Sequence, residues 1–160
     1  MAKVHYGIAH DVFYGTRSVP SNYHVTLVTR VAAVLEVEAT AAAVFRRAAM
    51  TSLVKCQSSG AKTAKVPEQT CVTCAERYLF REIALFQPVY LLALGSEPYT
   101  FLTQPHVAQR HGLKVGKLWH PSWSNMPGGE LAYAANELPR LHAEYAECLL
   151  RSGRGLAPDA

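Results

Sequence analysis

At 160 residues, 49% of them hydrophobic and 18% charged, the chain has the size of one compact domain with one core and is too apolar for a disordered polymer. No run of about 20 apolar residues is available to cross a bilayer, and the opening MAKVHYGIAH lacks the apolar stretch of a secretory leader, so the expectation is a soluble, cytoplasmic protein with no membrane partner. Against 12 Asp plus Glu stand 16 Lys plus Arg, a net charge of +4 that permits a polyanionic partner without requiring one.

The first segment, KVHYGIA, alternates Val4, Tyr6 and Ile8 and then reaches His10 and Asp11, the pattern of a short strand feeding a loop. Turn formers Gly15, Pro20 and Asn22 follow, and residues 23–35 carry Val25, Val28, Ala32 and Leu35 at the spacing of one helix face, with Ser21 or Asn22 as cap. The Ala-rich run EATAAAVFRRAAM predicts a second helix, and TSLVKC predicts strand two. QSSGAKTAKVPEQ has no period and reads as an exposed loop presenting Lys55, Lys62 and Lys65. Over residues 70–86, Val72, Ala75, Leu79, Ile83 and Phe86 mark a further helix. PVYLLALG has the apolar continuity of a strand buried on both faces of a parallel sheet, ending at Gly95. SEPYTFLTQ reads as a helix start, and LKVGKLW as a strand that stops at His120-Pro121. Residues 130–150 form a last helix, which Pro139 should kink or divide.

Strands alternating with helices predict a three-layer α/β/α domain over residues 1–150 with a four-stranded, largely parallel sheet, followed by a flexible tail at 151–160. Ligands of such folds bind beyond the carboxyl ends of the strands. That rule selects residues 9–15, residues 52–56, the turn at Gly95-Ser96, and the loop 120–129.

The four cysteines, Cys56, Cys71, Cys74 and Cys148, are too few and too clustered for a secreted disulfide framework and point to reduced thiols or a metal site. Cys71 and Cys74 have the spacing common to zinc, iron–sulfur and redox motifs, but only one such pair exists and no His follows at zinc-finger distance.

TSLVKC, the basic loop, Cys71, EIALFQPVYLLALGSEPYTFL and HPSW occur in an order that resembles the C-terminal two-thirds of the uracil-DNA glycosylase superfamily, closest to its bacterial and archaeal iron–sulfur branches. The pattern there is T-N-x-V-K-C, a Cys after a Pro-containing loop, a P-x-x-I-x-A-L-G strand, and H-P-S. The resemblance implies a monomer that acts on DNA by flipping a base and hydrolysing its glycosidic bond. It implies that His120 hydrogen-bonds the carbonyl oxygen of the flipped base. Phe13 in VFYG, with Tyr14 beside it, falls at the aromatic that stacks on the base. The loop after His120 falls at the segment that enters the minor groove, with Trp123 or Met126 as the wedge and Ser122 and Asn125 on the same DNA-facing stretch. Ser96 would sit against the DNA backbone, and Arg17, Lys55, Lys62 and Lys65 would contact phosphates.

The departures bear on substrate. The motif that holds the water-positioning acid reads Gly7-Ile8-Ala9-His10-Asp11 here, with Ile8 where an acid often sits, so Asp11 or His10 is left to place the water. The Asn that reads the uracil edge is Ser52. Losing that paired hydrogen bond relaxes uracil selection and points to a modified pyrimidine, hypermodified phage cytosine being the specific case, with repair and phage defence both open as settings. The family's first cysteine pair lies ahead of strand one and has no counterpart in this sequence, so the expectation is no cofactor, with a metal or cluster at Cys56, Cys71 and Cys74 as the minor alternative.

Each residue also has an ordinary reading. His120 can be a strand-end histidine satisfied by backbone, Phe13 and Tyr14 core aromatics, His10 and Asp11 turn residues, Ser52 a plain strand residue, and the lysines solvated charges. Two other functions therefore stand beside the glycosylase: a catalytically degenerate module that binds DNA or a modified base, and a metal or redox sensor built on the cysteines.

Overall fold

The computed structural model describes residues 22–53, 66–121 and 128–153. The first helix, α1 (Asn22–Leu35), buries Leu27, Val28, Ala32, Val34 and Leu35 at helical spacing and, on the same stripe, one charged residue, Arg30. It ends at Glu36, whose φ of 51° is left-handed. His142 covers this end, its Nδ1 donating to the Val34 carbonyl at 2.9 Å and its Nε2 lying 3.3 Å from Glu36 Oε1. Thr40 caps α2 (Ala41–Arg47) by accepting from the Ala43 N–H at 3.2 Å, and α2 packs Val44 and Phe45 against α1.

Strand two, expected over residues 51–56, is not formed in its described part. Residues 51–53 join no ladder: the Thr51 hydroxyl donates to Glu82 at 2.5 Å, and Leu53 anchors in an apolar cluster. Side-chain ties hold this segment in place of backbone pairing. The other half of that strand and the whole of strand one lie outside the described residues.

The helix expected over 70–86 is one rod in three parts: α3 (Glu68–Cys74), a π-helical turn at Ala75–Leu79, and α4 (Phe80–Phe86). In the π turn the Phe80 N–H bonds back five residues to the Ala75 carbonyl. Ala75 and Leu79 both face the core. Gln87, left-handed at φ 46°, ends the rod ahead of Pro88.

The sheet is made by β1 (Leu91–Leu94) and β2 (Val115–Leu118), which are parallel, with Leu91 opposite Val115 and Leu94 opposite Leu118. Between them run α5 (Ser96–Leu102) and α6 (Pro105–His111), the latter started by Pro105 at its first position. Among the described residues the sheet thus has two strands where four were expected. The last helix, α7 (Gly129–Ser152), reaches into the segment expected as tail, and residues 154–160 lie outside the described residues.

Side-chain alternation sorts the strands between two cores. Leu92, Leu94 and Leu118 face α1 and α7, packing with Leu27, Val34, Tyr133, Leu138 and Leu141. Ala93 and Val115 face the other way, toward Leu79, Phe80, Phe101, Leu102 and Val107 of α4, α5, α6 and the π turn. The helices therefore cover both faces of a parallel sheet, as the alternating pattern predicts. Pro139 does not divide α7, which runs unbroken through it. Pro139 and Ala135, whose carbonyl loses the Pro139 N–H as partner, both lie on the exposed face of the helix.

Candidate functional site

The ladder ends where the two strands meet the loops. The Gly95 N–H donates to the Leu118 carbonyl at 2.8 Å, the last rung, and beyond it β1 turns away through Gly95 at φ 93°. That backbone region belongs to glycine. A Cβ on Gly95 would stand 3.6 Å from the His120 Cβ, so the turn after β1 and the residue after β2 lie side by side. Ser96, exposed at the start of α5, shares this corner. Two of the four strand-end positions selected from sequence, Gly95-Ser96 and His120, are thus brought together at the carboxyl edge of the sheet.

His120 is half-buried. Its ring lies against the Tyr23 ring, 5.4 Å between centroids and tilted by 49°, and Tyr23 in turn meets His24 edge-on at 5.1 Å. Burial, then the charge of Arg30, lowers the His120 pKa from its ordinary value, so the imidazole is neutral at pH 7. A neutral imidazole at a fixed strand end can donate one hydrogen bond into a partly desolvated space without carrying charge there.

Side chains from α1 and α7 hold the backbone just before His120. The Trp119 N–H donates to the Tyr133 hydroxyl at 3.0 Å, and the Trp119 carbonyl accepts from Arg30 NH1 at 2.8 Å. Arg30, only 2% exposed, also grips the Glu130 carboxylate through Nε at 3.1 Å and NH2 at 2.5 Å. Its guanidinium carbon sits 5.1 Å from the centre of the Tyr133 ring. On the far side, Lys117 Nζ lies 5.0 Å from the centre of the Trp119 ring.

Tyr23, Arg30, Glu130 and Tyr133 were not singled out from the sequence. Arg30 did leave a signal, a lone charge three residues after Leu27 and four before Val34 on an otherwise apolar stripe. Its partner lies 100 residues away, a distance no local pattern spans.

Of the other expected site residues, Ser52 is exposed, next to the Leu53 anchor and the Thr51 bond to Glu82. Ile8, His10, Asp11, Phe13, Tyr14, Arg17, Lys55, Lys62, Lys65, Ser122, Trp123, Asn125 and Met126 lie outside the described residues. Cys56 does too. Cys74 is buried and Cys71 half-buried one turn before it, where burial and then Glu97 push the Cys71 thiol up. Cys148 sits on α7, where burial raises its thiol against the opposing charge of Lys114. Among the described residues no three His, Cys, Asp or Glu side chains are grouped to hold a metal ion. No helix among the described residues is long and apolar enough to cross a membrane.

No curated protein and no solved structure matches the chain. A family model for the uracil DNA glycosylase superfamily matches residues 13–145, most of the chain, and the matched span takes in Phe13, Ser52, Ser96 and His120. With this match over a parallel α/β core whose strand ends converge on His120, the chain belongs to the uracil DNA glycosylase superfamily.

Proposed function

We propose that the protein is a monofunctional DNA glycosylase that extrudes a modified pyrimidine from DNA and hydrolyses its N-glycosidic bond. The observation that carries this reading is His120: a neutral, half-buried imidazole at the carboxyl end of β2, beside the Gly95 turn. Breaking the bond between C1′ and the base nitrogen leaves positive charge on the sugar and negative charge on the departing base. A fixed donor aimed at the base carbonyl oxygen stabilises that negative charge as it develops, with no reorganisation needed at that moment.

The remaining roles follow from the family resemblance. Phe13 receives the flipped base on its face, with Tyr14 and Ile8 lining the pocket. Asp11 or His10 directs a water to C1′, whose oxygen forms the new bond while a proton goes to the base, and no cofactor enters. Trp123 or Met126 fills the gap left in the stack, and Ser122, Asn125 and Ser96 approach the backbone. Arg17, Lys55, Lys62 and Lys65 supply phosphate contacts whose strength falls with salt. Ser52 in place of an amide favours a base other than plain uracil, because it lacks the paired hydrogen bonds that would reject alternatives.

The test is a panel of oligonucleotides carrying natural, deaminated and phage-modified bases, incubated with the protein and cleaved with alkali at abasic sites. Release of a modified pyrimidine, with His120→Ala lowering the rate by about 100- to 1,000-fold while DNA affinity is kept, is the expected result. Release of uracil alone refutes the substrate assignment. Tight, salt-sensitive binding with no abasic product from any duplex refutes catalysis and leaves the binding module of the same fold.

A further inference from the structure

Backbone ladders hold strands rigid, and a residue beyond the last rung loses that support. Here the last rung is Gly95 N–H to the Leu118 carbonyl, and His120 lies two residues past it. The two peptide groups that flank Trp119 are nonetheless both tied. The one before it donates from the Trp119 N–H to Tyr133, and the one after it, the Trp119–His120 peptide, accepts from Arg30 through its carbonyl. Pro121 restricts the His120 backbone from the other side. Arg30 is itself fixed by the two-pronged grip on Glu130 and by the Tyr133 ring, so its direction is set before any ligand arrives.

We infer that Arg30 is a positioning residue for the reaction, clamping the Trp119–His120 peptide so that the imidazole keeps its aim at the departing base. This rests on the role proposed for His120. The guanidinium takes over from the ladder, carrying strand rigidity two residues further with side chains of α1 and α7. An ordinary buried ion pair needs no backbone partner; here the third guanidinium arm ends on the carbonyl adjacent to His120. The titratable groups gathered at this corner among the described residues are Tyr23 and Arg30 of α1, with His24 behind Tyr23, and Glu130 and Tyr133 of α7 behind Arg30.

Arg30→Lys separates aim from charge, since it keeps the cation and loses the fork. Single-turnover excision should fall by about 10- to 100-fold, the size of effect expected from displacing a catalytic group by about an ångström, with DNA affinity within roughly threefold of wild type. The His120 imidazole should titrate as in the wild type while its amide and ring NMR signals shift. Tyr133→Phe, which removes the other tie, should lower the same rate less and in the same pattern; it serves in full if Arg30→Lys does not fold. A folded Arg30→Lys with wild-type rate and unmoved His120 signals overturns the clamp, as does a loss of rate matched by an equal loss of DNA binding. If the wild type excises no base from any DNA, the glycosylase reading fails by itself. The clamp is then judged by the NMR signals alone, and unmoved signals overturn it.

Discussion

Gly116 lies in the middle of β2 where α7 comes closest to the sheet, and replacing it with alanine tests that packing directly. A Cβ there would overlap the Tyr90 hydroxyl and stand 2.8 Å from Tyr90 Cζ and 2.7 Å from Leu141 Cδ2. Leu141 is fully buried and cannot retreat, so Tyr90 must move. Its hydroxyl donates to Glu144 Oε2 at 2.6 Å, and that bond is lost when the ring swings away. Losing a hydrogen bond to a charged partner costs about 1.5–3 kcal/mol, and the residual overpacking adds about 1–3 kcal/mol. A destabilisation of about 3–5 kcal/mol lowers the melting temperature by roughly 10 °C in a chain of this size. Gly112→Ala is the comparison, since Gly112 has φ 60° but open space around its Cβ position, and the left-handed strain alone costs about 1–2 kcal/mol. Thermal unfolding followed by circular dichroism reads both. If Gly116→Ala melts no lower than Gly112→Ala, the Tyr90–Glu144 contact does not press on β2 as described. The cycle with Tyr90→Phe sharpens this: in the Gly116→Ala background the hydroxyl has already lost its partner, so its removal should cost little.

Three further outcomes follow from charge and backbone. Burial and the Glu144 hydrogen bond push the Tyr90 pKa well above its ordinary 10.0, so the folded state holds a proton that the unfolded state releases; stability should fall as pH rises past about 10, less steeply in Tyr90→Phe, by denaturant titration. His120 is shifted the other way, so the unfolded chain takes up a proton first on acidification: stability is full above 6.5 and declines below it, and His120→Gln should flatten that decline in unfolding measured from pH 7 to 5. Pro139→Ala restores the N–H to α7 at an exposed position and should raise stability by about 1–3 kcal/mol, seen as a higher melting temperature; an unchanged value would mean that α7 gains nothing from the restored bond.

The parts of the fold legible in the sequence are those set by local pattern. The apolar period of α1, the Ala-rich run of α2, the two apolar stretches of β1 and β2 and the long α7 all carry their own signal within a few residues, and each appears close to where it was expected. Features that depend on remote partners leave a weaker local signal. TSLVKC has the composition of a strand, yet residues 51–53 spend their side chains on Glu82 and an apolar cluster instead of a ladder. Pro139 carries the local signature of a break, but its place on the exposed face of α7 lowers the cost enough for the helix to run through it. The short α6 is a single Pro-initiated stretch of seven residues, too brief for its period to stand out. At the site, H-P-S at a strand end marked His120, while the groups that hold it are visible only once α1 and α7 have packed on the sheet.

Helix α7 packs the core and holds the end of β2 from one surface, with Tyr133 taking part in both through its ring and its hydroxyl. Leu138 and Leu141 fill the core under the sheet, and Glu144 holds Tyr90 over Gly116. Glu130 and Tyr133, one to three turns nearer its N-terminus, reach the far end of β2 and hold the strand where its ladder has stopped. Glu130 is 55% exposed, and Tyr133→Phe keeps the buried ring in the core while removing its hydroxyl, so loosening this end by that change removes few apolar contacts. Changes near Gly116 should therefore appear first in melting temperature, and Tyr133→Phe, on the role proposed for His120, first in the rate of base release. A set of α7 variants whose rate losses merely follow their stability losses would remove the distinction, and with it the reason for a charged residue on the apolar stripe of α1.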